Sequence, residues 1–319
     1  MRREIASISI MGVTLALSQI AAIGISPLFK ESGLQAFPEP ERPENAVIYI
    51  VMILAFTAVI LALVRYRRRG TARVIILASI YLTLAFVLLL PIFFGLVFVN
   101  PDVFNTEFGG NLATVLAFAV AALLIYALVK HPEWYVVDAI GLVTAAGVTA
   151  ILGISFSILP AILLLVGLAA YDAIAVYRTK HMVTLADELT SQHLPVLLVI
   201  PKRADYSFRE QKSLKEQIAA GEEREAMFIG LGDLIIPGVM SVSAFNSLPG
   251  TGIVWAGLSA NALVALTTLA GSLVGFAILM RFVIRGNPQA GLPLLNGGAL
   301  AGFLLGYVLV YGNLGFGIV

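Results

Sequence analysis

Residues 157–177 read SILPAILLLVGLAAYDAIAVY, and residues 226–245 read AMFIGLGDLIIPGVMSVSAF. Each stretch has the length and apolarity of a helix crossing a hydrocarbon core of about 30 Å, which takes about 20 residues. Each also carries one aspartate, Asp172 and Asp233. An Asp at the centre of a bilayer costs roughly 2.5 to 3.5 kcal/mol on insertion scales, and such residues face a protein interior or a wet cavity, where they pair or do chemistry. The two acids are therefore the candidates for function, and the first question is whether the chain lets them meet.

The remaining sequence places both stretches in a membrane. The 319-residue chain is 59% hydrophobic and 12% charged, with a mean hydropathy of +0.95, whereas soluble domains are about 45 to 50% apolar and about 25% charged. The fold expected is all-α, a polytopic membrane protein. A formal net charge of +1, with basic residues in a few short stretches, argues against nucleic acid as a partner. Cysteine is absent, which excludes disulfides, thiolate nucleophiles and Cys-ligated metals.

The 20-residue template fits nine times, at roughly 5–28, 46–64, 74–99, 111–129, 135–153, 157–177, 226–245, 252–284 and 289–316. The first apolar run exceeds a signal peptide's apolar region and reads as a retained helix. Lys and Arg in the connections test the layout, because cytoplasmic loops carry the excess. One side receives Arg2, Arg3, the five arginines from Arg65 to Arg73, Lys130, the eight basic residues from Arg178 to Arg224, Arg281 and Arg285. The other receives Lys30 and Arg42. An 18-to-2 division implies nine transmembrane helices, with the N-terminus cytoplasmic and the C-terminus outside.

On this layout residues 1–178 form a six-helix block, 179–225 a cytoplasmic polar loop and 226–319 a three-helix block. Within the loop, VTLADELTSQ (183–192) suits a short surface helix. LPVLLVIPK (194–202) is too short to span and suits a strand, a re-entrant piece or an apolar patch packed on the bundle. Asp172 lies six residues, about 9 Å, from the cytoplasmic edge of its helix, and Asp233 eight residues, about 12 Å, from the same edge of the next. Helices consecutive in the chain are commonly neighbours, so the two carboxyls are expected to face one another at nearly matching depths.

Two adjacent carboxyls cannot both ionise cheaply; they share a proton and titrate as a pair. That state suits hydrolysis. The ionised member takes a proton from water, the water attacks a peptide carbonyl, and the protonated member donates to the developing oxyanion. No metal or other cofactor is called for. Gly230 and Gly232, either side of Leu231 and just before Asp233, remove side chains where a helix or an extended peptide approaches, although glycine also serves ordinary helix packing. Pro237 and Gly238 weaken the helix one turn later. Gly291, Pro293, Gly297 and Gly298 crowd the cytoplasmic start of the last span, freeing backbone groups that need partners; a Pro-kinked structural end is the alternative.

Taken together, AAYDAIAVY around Tyr171-Asp172 and GLGDLIIPG from Gly230 to Gly238 resemble the two active-site motifs of the GxGD aspartyl intramembrane proteases, the family of presenilin and signal peptide peptidase. The likeness extends over the whole chain: nine spans, a polar loop between the sixth and seventh, and a proline motif at the ninth. It implies that Asp172 and Asp233 are the catalytic pair, that Tyr171 borders the first, and that Gly230, Leu231 and Gly232 line the approach to the second. The family's Pro-Ala-Leu motif corresponds to Pro293-Leu294-Leu295, with leucine in place of alanine, and these three are the further substrate-contacting candidates. The charge-derived orientation is that of presenilin and the reverse of signal peptide peptidase.

The partners so implied are transmembrane-helix peptides as substrates and the lipid bilayer, in an integral multi-pass protein of the cell membrane; a homo-oligomer is an admissible assembly. A substrate helix must unwind to be cut, and its bared backbone is expected to pair with backbone near Pro293 or in residues 194–202. Other intramembrane hydrolases lack their residues here. His131, His181 and His193 lie in polar connections, none begins an HExxH motif, and no His accompanies a Ser at membrane depth. Asp138 reads as an interfacial, solvated carboxylate, with a third functional acid as the alternative. A cation- or proton-coupled transporter would also use two buried aspartates at Gly- and Pro-broken helices, but it leaves the Tyr-Asp and GLGD pairing unexplained. A structural scaffold leaves both acids without purpose.

Overall fold

The computed structural model describes residues 2–66, 69–102, 106–179, 196–202, 206–208, 226–251, 253–255, 257–284 and 289–312. The surface helix expected at 183–192 and most of the polar loop lie outside the described residues. Nine α-helices account for nearly all of what is described: α1 (Arg2–Glu31), α2 (Glu44–Arg65), α3 (Arg69–Val99), α4 (Glu107–Lys130), α5 (Trp134–Ser155), α6 (Ile158–Ile174), α7 (Leu231–Ser247), α8 (Ala260–Ile284) and α9 (Gly291–Tyr311). Local chemistry sets several of their ends. Thr106 caps α4 by accepting the Gly109 N–H on its hydroxyl at 3.2 Å, and α9 stops at Gly312, whose φ of 69° is left-handed.

Eight of these helices, counting α6 together with its continuation to Arg178, are long and apolar enough to cross a membrane. They expose large apolar side chains such as Val13, Leu123 and Leu309, which suits hydrocarbon and would be untenable in water on this scale. The protein is thus an integral, multi-pass α-helical membrane protein. The seventh span differs from its sequence reading: residues 226–230 form a strand, β2 (Ala226–Gly230), and α7 has 17 residues, about 25 Å of rise. β2 pairs with β1 (Leu197–Pro201), so a strand does form within the apolar run, over residues 197–201, with Leu198, Val199 and Ile200 buried.

The eighth span also begins later than expected. Ahead of it β3 (Ile253–Trp255) pairs antiparallel with β4 (Leu258–Ser259). The chain turns at Gly257 with φ 80°, a conformation that Gly adopts freely and that cannot belong to a helix.

The chain divides into two compact units, residues 1–58, 145–186 and 230–319 in one, and 59–144 with 187–229 in the other. In the second, α3 packs on α4, with Tyr81 and Phe118 in edge contact, and Leu84, Ala121, Leu128, Ile140, Val199 and Phe208 share a core. Asp138 does not stand solvated at the interface as expected. It is half-buried and accepts the Val199 N–H at 2.7 Å, fastening β1 to the start of α5.

The first unit holds both acids of interest. Its core includes Phe156, Leu164, Leu165, Val239, Met240 and Phe303. Here α7 is laced to α1 by polar contacts: the Ser241 hydroxyl donates to Gln19 Oε1 at 2.9 Å, Asn246 Nδ2 to Ser26 Oγ at 2.8 Å, and Lys30 Nζ to the Asn246 carbonyl at 2.7 Å. Gln19 Nε2 donates in turn to Ser272 Oγ of α8 at 3.0 Å. In an apolar medium such bonds take the place of the hydrophobic drive that water would supply.

α8 and α9 form the most extensive helix pair in this unit, and small residues permit it. Gly271 on α8 faces Gly298 and Gly302 on α9, Gly275 faces Leu294 and Leu295, and Gly306 faces Thr267; a Cβ at Gly271, Gly275, Gly298 or Gly302 would collide with backbone of the facing helix. This is the small-xxx-small packing by which membrane helices bring their backbones together. Gly271→Val is therefore expected to destabilise the fold by about 1–3 kcal/mol or more, seen as a lowered midpoint of thermal unfolding in detergent. Gly24→Ala, with open space at its Cα, is expected to leave that midpoint unchanged.

Candidate active site

Asp172 comes from α6, two residues before the helix ends at Ile174 and gives way to a π-helical turn, Ala175–Thr179. A carboxylate near the C-terminus of its own helix meets the unfavourable end of the macrodipole. The compensation comes from α9, whose first N–H groups have no partner within their own helix. The Leu292 N–H donates to Asp172 Oδ2 at 3.0 Å, and the Gly291 N–H is directed at the same carboxylate. Asp172 is only 4% exposed.

Asp233 is set differently. It is the third residue of α7, and its carboxyl is held back toward the N–H of Gly230, the residue that caps the helix. This is the reciprocal half of a capping box, in which an acidic third residue satisfies the backbone donor at the cap. Asp233 is half-buried.

Both carboxyls border the first turn of α9, Asp172 at the Leu292 N–H and Asp233 at Gly291. Asp172 lies close enough for its charge to bear on Asp233. A Cβ built on Gly291 would stand 3.0 Å from Asp233 Oδ1 and 3.2 Å from Oδ2. Gly291 therefore directs its N–H to one acid and its bare Cα to the other. A second bond closes the same junction: Tyr177 in the π-turn donates its hydroxyl to Gln289 Oε1 at 2.6 Å, just ahead of α9.

The other residues singled out from the sequence fall around this junction in distinct ways. Tyr171 is half-buried beside Asp172, Leu231 is buried, and Gly232 is exposed, with nothing within 4 Å of the position a Cβ would take. Pro293 and Leu294 are half-buried in the first turn of α9, and Leu295 is fully buried. The Leu294 carbonyl packs against Gly275 of α8, so the turn that binds Asp172 is itself fixed by the glycine seam. His131 closes α4 by donating its backbone N–H to the Ala127 carbonyl, while His181 and His193 lie outside the described residues.

Sequence reasoning noted Gly291 only as one of several helix-breaking residues and missed Leu292 as a ligand of Asp172. No side chain of Leu292 advertises that role, because the group that acts is its backbone N–H. The available signal was positional: a helix beginning at the expected depth of the acids brings free amides with it.

The chain has relatives of known structure. Residues 11–312 match the family model described as signal-peptide peptidase, presenilin aspartyl protease. The structure of a presenilin family intramembrane aspartate protease solved in space group C222 is 34% identical to this chain, covering 95% of it and 99% of that protein, with a TM-score of 0.64. A P2 crystal form of a presenilin family intramembrane aspartate protease gives 35% identity, 94% and 96% coverage and a TM-score of 0.61. No curated protein is similar enough to this chain to count as a match.

The chain belongs to the signal peptide peptidase and presenilin family of aspartyl proteases. It is an aspartic endopeptidase that works within the membrane, on transmembrane segments.

Gly291→Val is expected to push Asp233 aside and lower peptide cleavage at least about tenfold, since displacements of an ångström in reacting groups can cost 10²-fold. Gly291→Ala should fall between this variant and wild type. Initial cleavage rates in detergent, with a thermal melt as control for folding, check the effect.

Proposed function

We propose that Asp172 and Asp233 are the catalytic pair, and that they cut peptide bonds within transmembrane segments or signal-peptide remnants by activating water. The convergence of both carboxyls on Gly291 and Leu292 carries this reading. With one proton shared between them, the ionised member removes a proton from water as the water attacks the scissile carbonyl. The protonated member donates to the oxygen that is becoming an oxyanion. The amide of Leu292 holds Asp172 in register, and the Gly230 end of α7 holds Asp233. Both acids come from one copy of the chain, so the chemistry needs no second subunit.

Tyr171, Gly230, Leu231, Gly232, Pro293, Leu294 and Leu295 form the surroundings through which the unwound substrate passes. Gly232, exposed beside Asp233, leaves room for a backbone to come close. Strands β1 and β2 offer a second place for pairing, because a two-stranded sheet has edges to which an extended peptide can add. The 18-to-2 distribution of basic residues supports nine spans with the N-terminus in the cytoplasm, in the cell membrane, and hence substrates whose orientation suits that arrangement. Nothing in the family or its solved structures favours the transporter reading.

Reconstitution with a single-span peptide tests the assignment. Wild type is expected to give discrete products, whereas Asp172→Asn and Asp233→Asn are each expected to fall below about 1% of that rate, in line with the 10²- to 10⁴-fold worth of acid–base groups. Products from either variant at the wild-type rate would remove it from the pair. Peptide-like compounds with a hydroxyl in place of the scissile carbonyl are expected to inhibit, because they imitate the tetrahedral intermediate. Full activity at saturating, verified binding would count against the mechanism.

A further inference from the structure

Gln19 on α1, Ser241 on α7 and Ser272 on α8 are all fully buried, within one compact unit. They form a directed chain of hydrogen bonds. Ser272 spends its proton on the Leu269 carbonyl at 2.7 Å, so toward Gln19 its oxygen can only accept, and it takes the Nε2 donor at 3.0 Å. That fixes the amide: Oε1 is turned the other way, where the Ser241 hydroxyl donates to it at 2.9 Å. Leucine at position 19 would fill a similar volume and could make neither bond.

The chain of bonds grips α7 where that helix is weakest. Pro237 has no N–H, so the Asp233 carbonyl one turn earlier lacks its helical partner, and Gly238 follows without a side chain. Packing stands in place of that rung: a Cβ built on Gly238 would lie 3.1 Å from Gln19 Cγ and 2.7 Å from Thr149 Cγ2. Gln19 thus holds α7 at Gly238 by contact and at Ser241 by a bond, just past the break. Its other bond ends at Ser272, next to Gly271, on the helix whose glycine seam carries α9 and with it the Leu292 amide that holds Asp172. In hydrocarbon, apolar helix faces have no hydrophobic drive to hold one register, whereas a directed bond selects one.

We propose that Gln19 is a positioning residue for the catalytic pair: by bridging Ser241 to Ser272 it fixes the helix bearing Asp233 against the α8–α9 pair that places Asp172, and so sets the separation of the two carboxyls. Gln19, Ser241 and Ser272 each have 0% exposure, so none of them offers surface to a substrate. Their removal acts on the chemical step and not on binding. The inference rests on the reading of Asp172 and Asp233 as the pair and adds to it the device that keeps them in register.

The test uses the full chain in vesicles with a single-span peptide and separates kcat from KM. Gln19→Leu and Ser272→Ala are each expected to lower kcat about tenfold with KM within about twofold, because displacement of reacting groups by an ångström can cost 10²-fold. Ser272→Ala keeps the bond from Ser241 and cuts only the link to α8, and it carries the test if Gln19→Leu does not fold. Combining Ser241→Ala with Ser272→Ala is expected to cost under about twofold beyond either alone, since one chain is broken once. Ser155→Ala removes another buried hydroxyl of the same unit, the acceptor of the Ala36 N–H. As the control for stability it is expected to keep kcat within about twofold. An unchanged kcat in folded Ser272→Ala, a loss confined to KM, single losses that multiply, or an equal loss in Ser155→Ala overturns the proposal and leaves the pair standing. A wild type that cuts nothing, or an Asp172→Asn variant that cuts at the wild-type rate, overturns the pair and the proposal with it.

Discussion

The N-terminal turn of α9 carries the geometry on which the proposed active centre depends. A helix that begins inside a protein must find partners for its first N–H groups, and here one of those partners is the carboxylate of Asp172, from another helix. The need runs both ways, because Asp172 is buried, at 4% exposure, and a carboxylate so placed needs hydrogen-bond donors. Binding the two deficiencies together satisfies both. Glycine at position 291 then lets the second acid come alongside, since a Cβ there would crowd the Asp233 carboxyl at 3.0 Å.

That turn is only as well placed as the helix behind it. α9 is held to α8 through a seam of glycines, with backbone against backbone from Gly275 and Leu294 up to Gly302. Contacts of this kind leave little freedom to slide, because a shift of one residue would set Cβ atoms against the facing main chain. The helix bearing Asp233 is placed by other means, through hydrogen bonds from Ser241 and Asn246 to α1. The two acids are thus positioned by two kinds of membrane packing, steric on one side and polar on the other.

Much of this could be read from the chain. Apolar runs of about 20 residues located the helices because a hydrocarbon solvent tolerates little else, and the isolated acids within two of them pointed to the candidate centre. Less legible were the places where backbone acts instead of side chains. The strand before Gly230, the hairpin turning at Gly257 and the π-turn after Asp172 all lie inside or beside apolar runs, and hydropathy alone does not separate strand, turn and helix there. Asp138 was misread for a related reason. Its partner is an N–H of a strand 61 residues further along, and local sequence contains no sign of it.

What the sequence by itself determined was the solvent, the approximate extent of most of the helices, and the chemistry available to them, since these follow from side-chain apolarity and from the expense of placing a carboxylate in lipid. What only the tertiary structure decided was which amide would meet which acid, and that Gly291 would stand beside the Asp233 carboxyl at the turn that binds Asp172. Those facts arise from contacts between residues more than fifty positions apart, and no local pattern encodes how two helices pass one another.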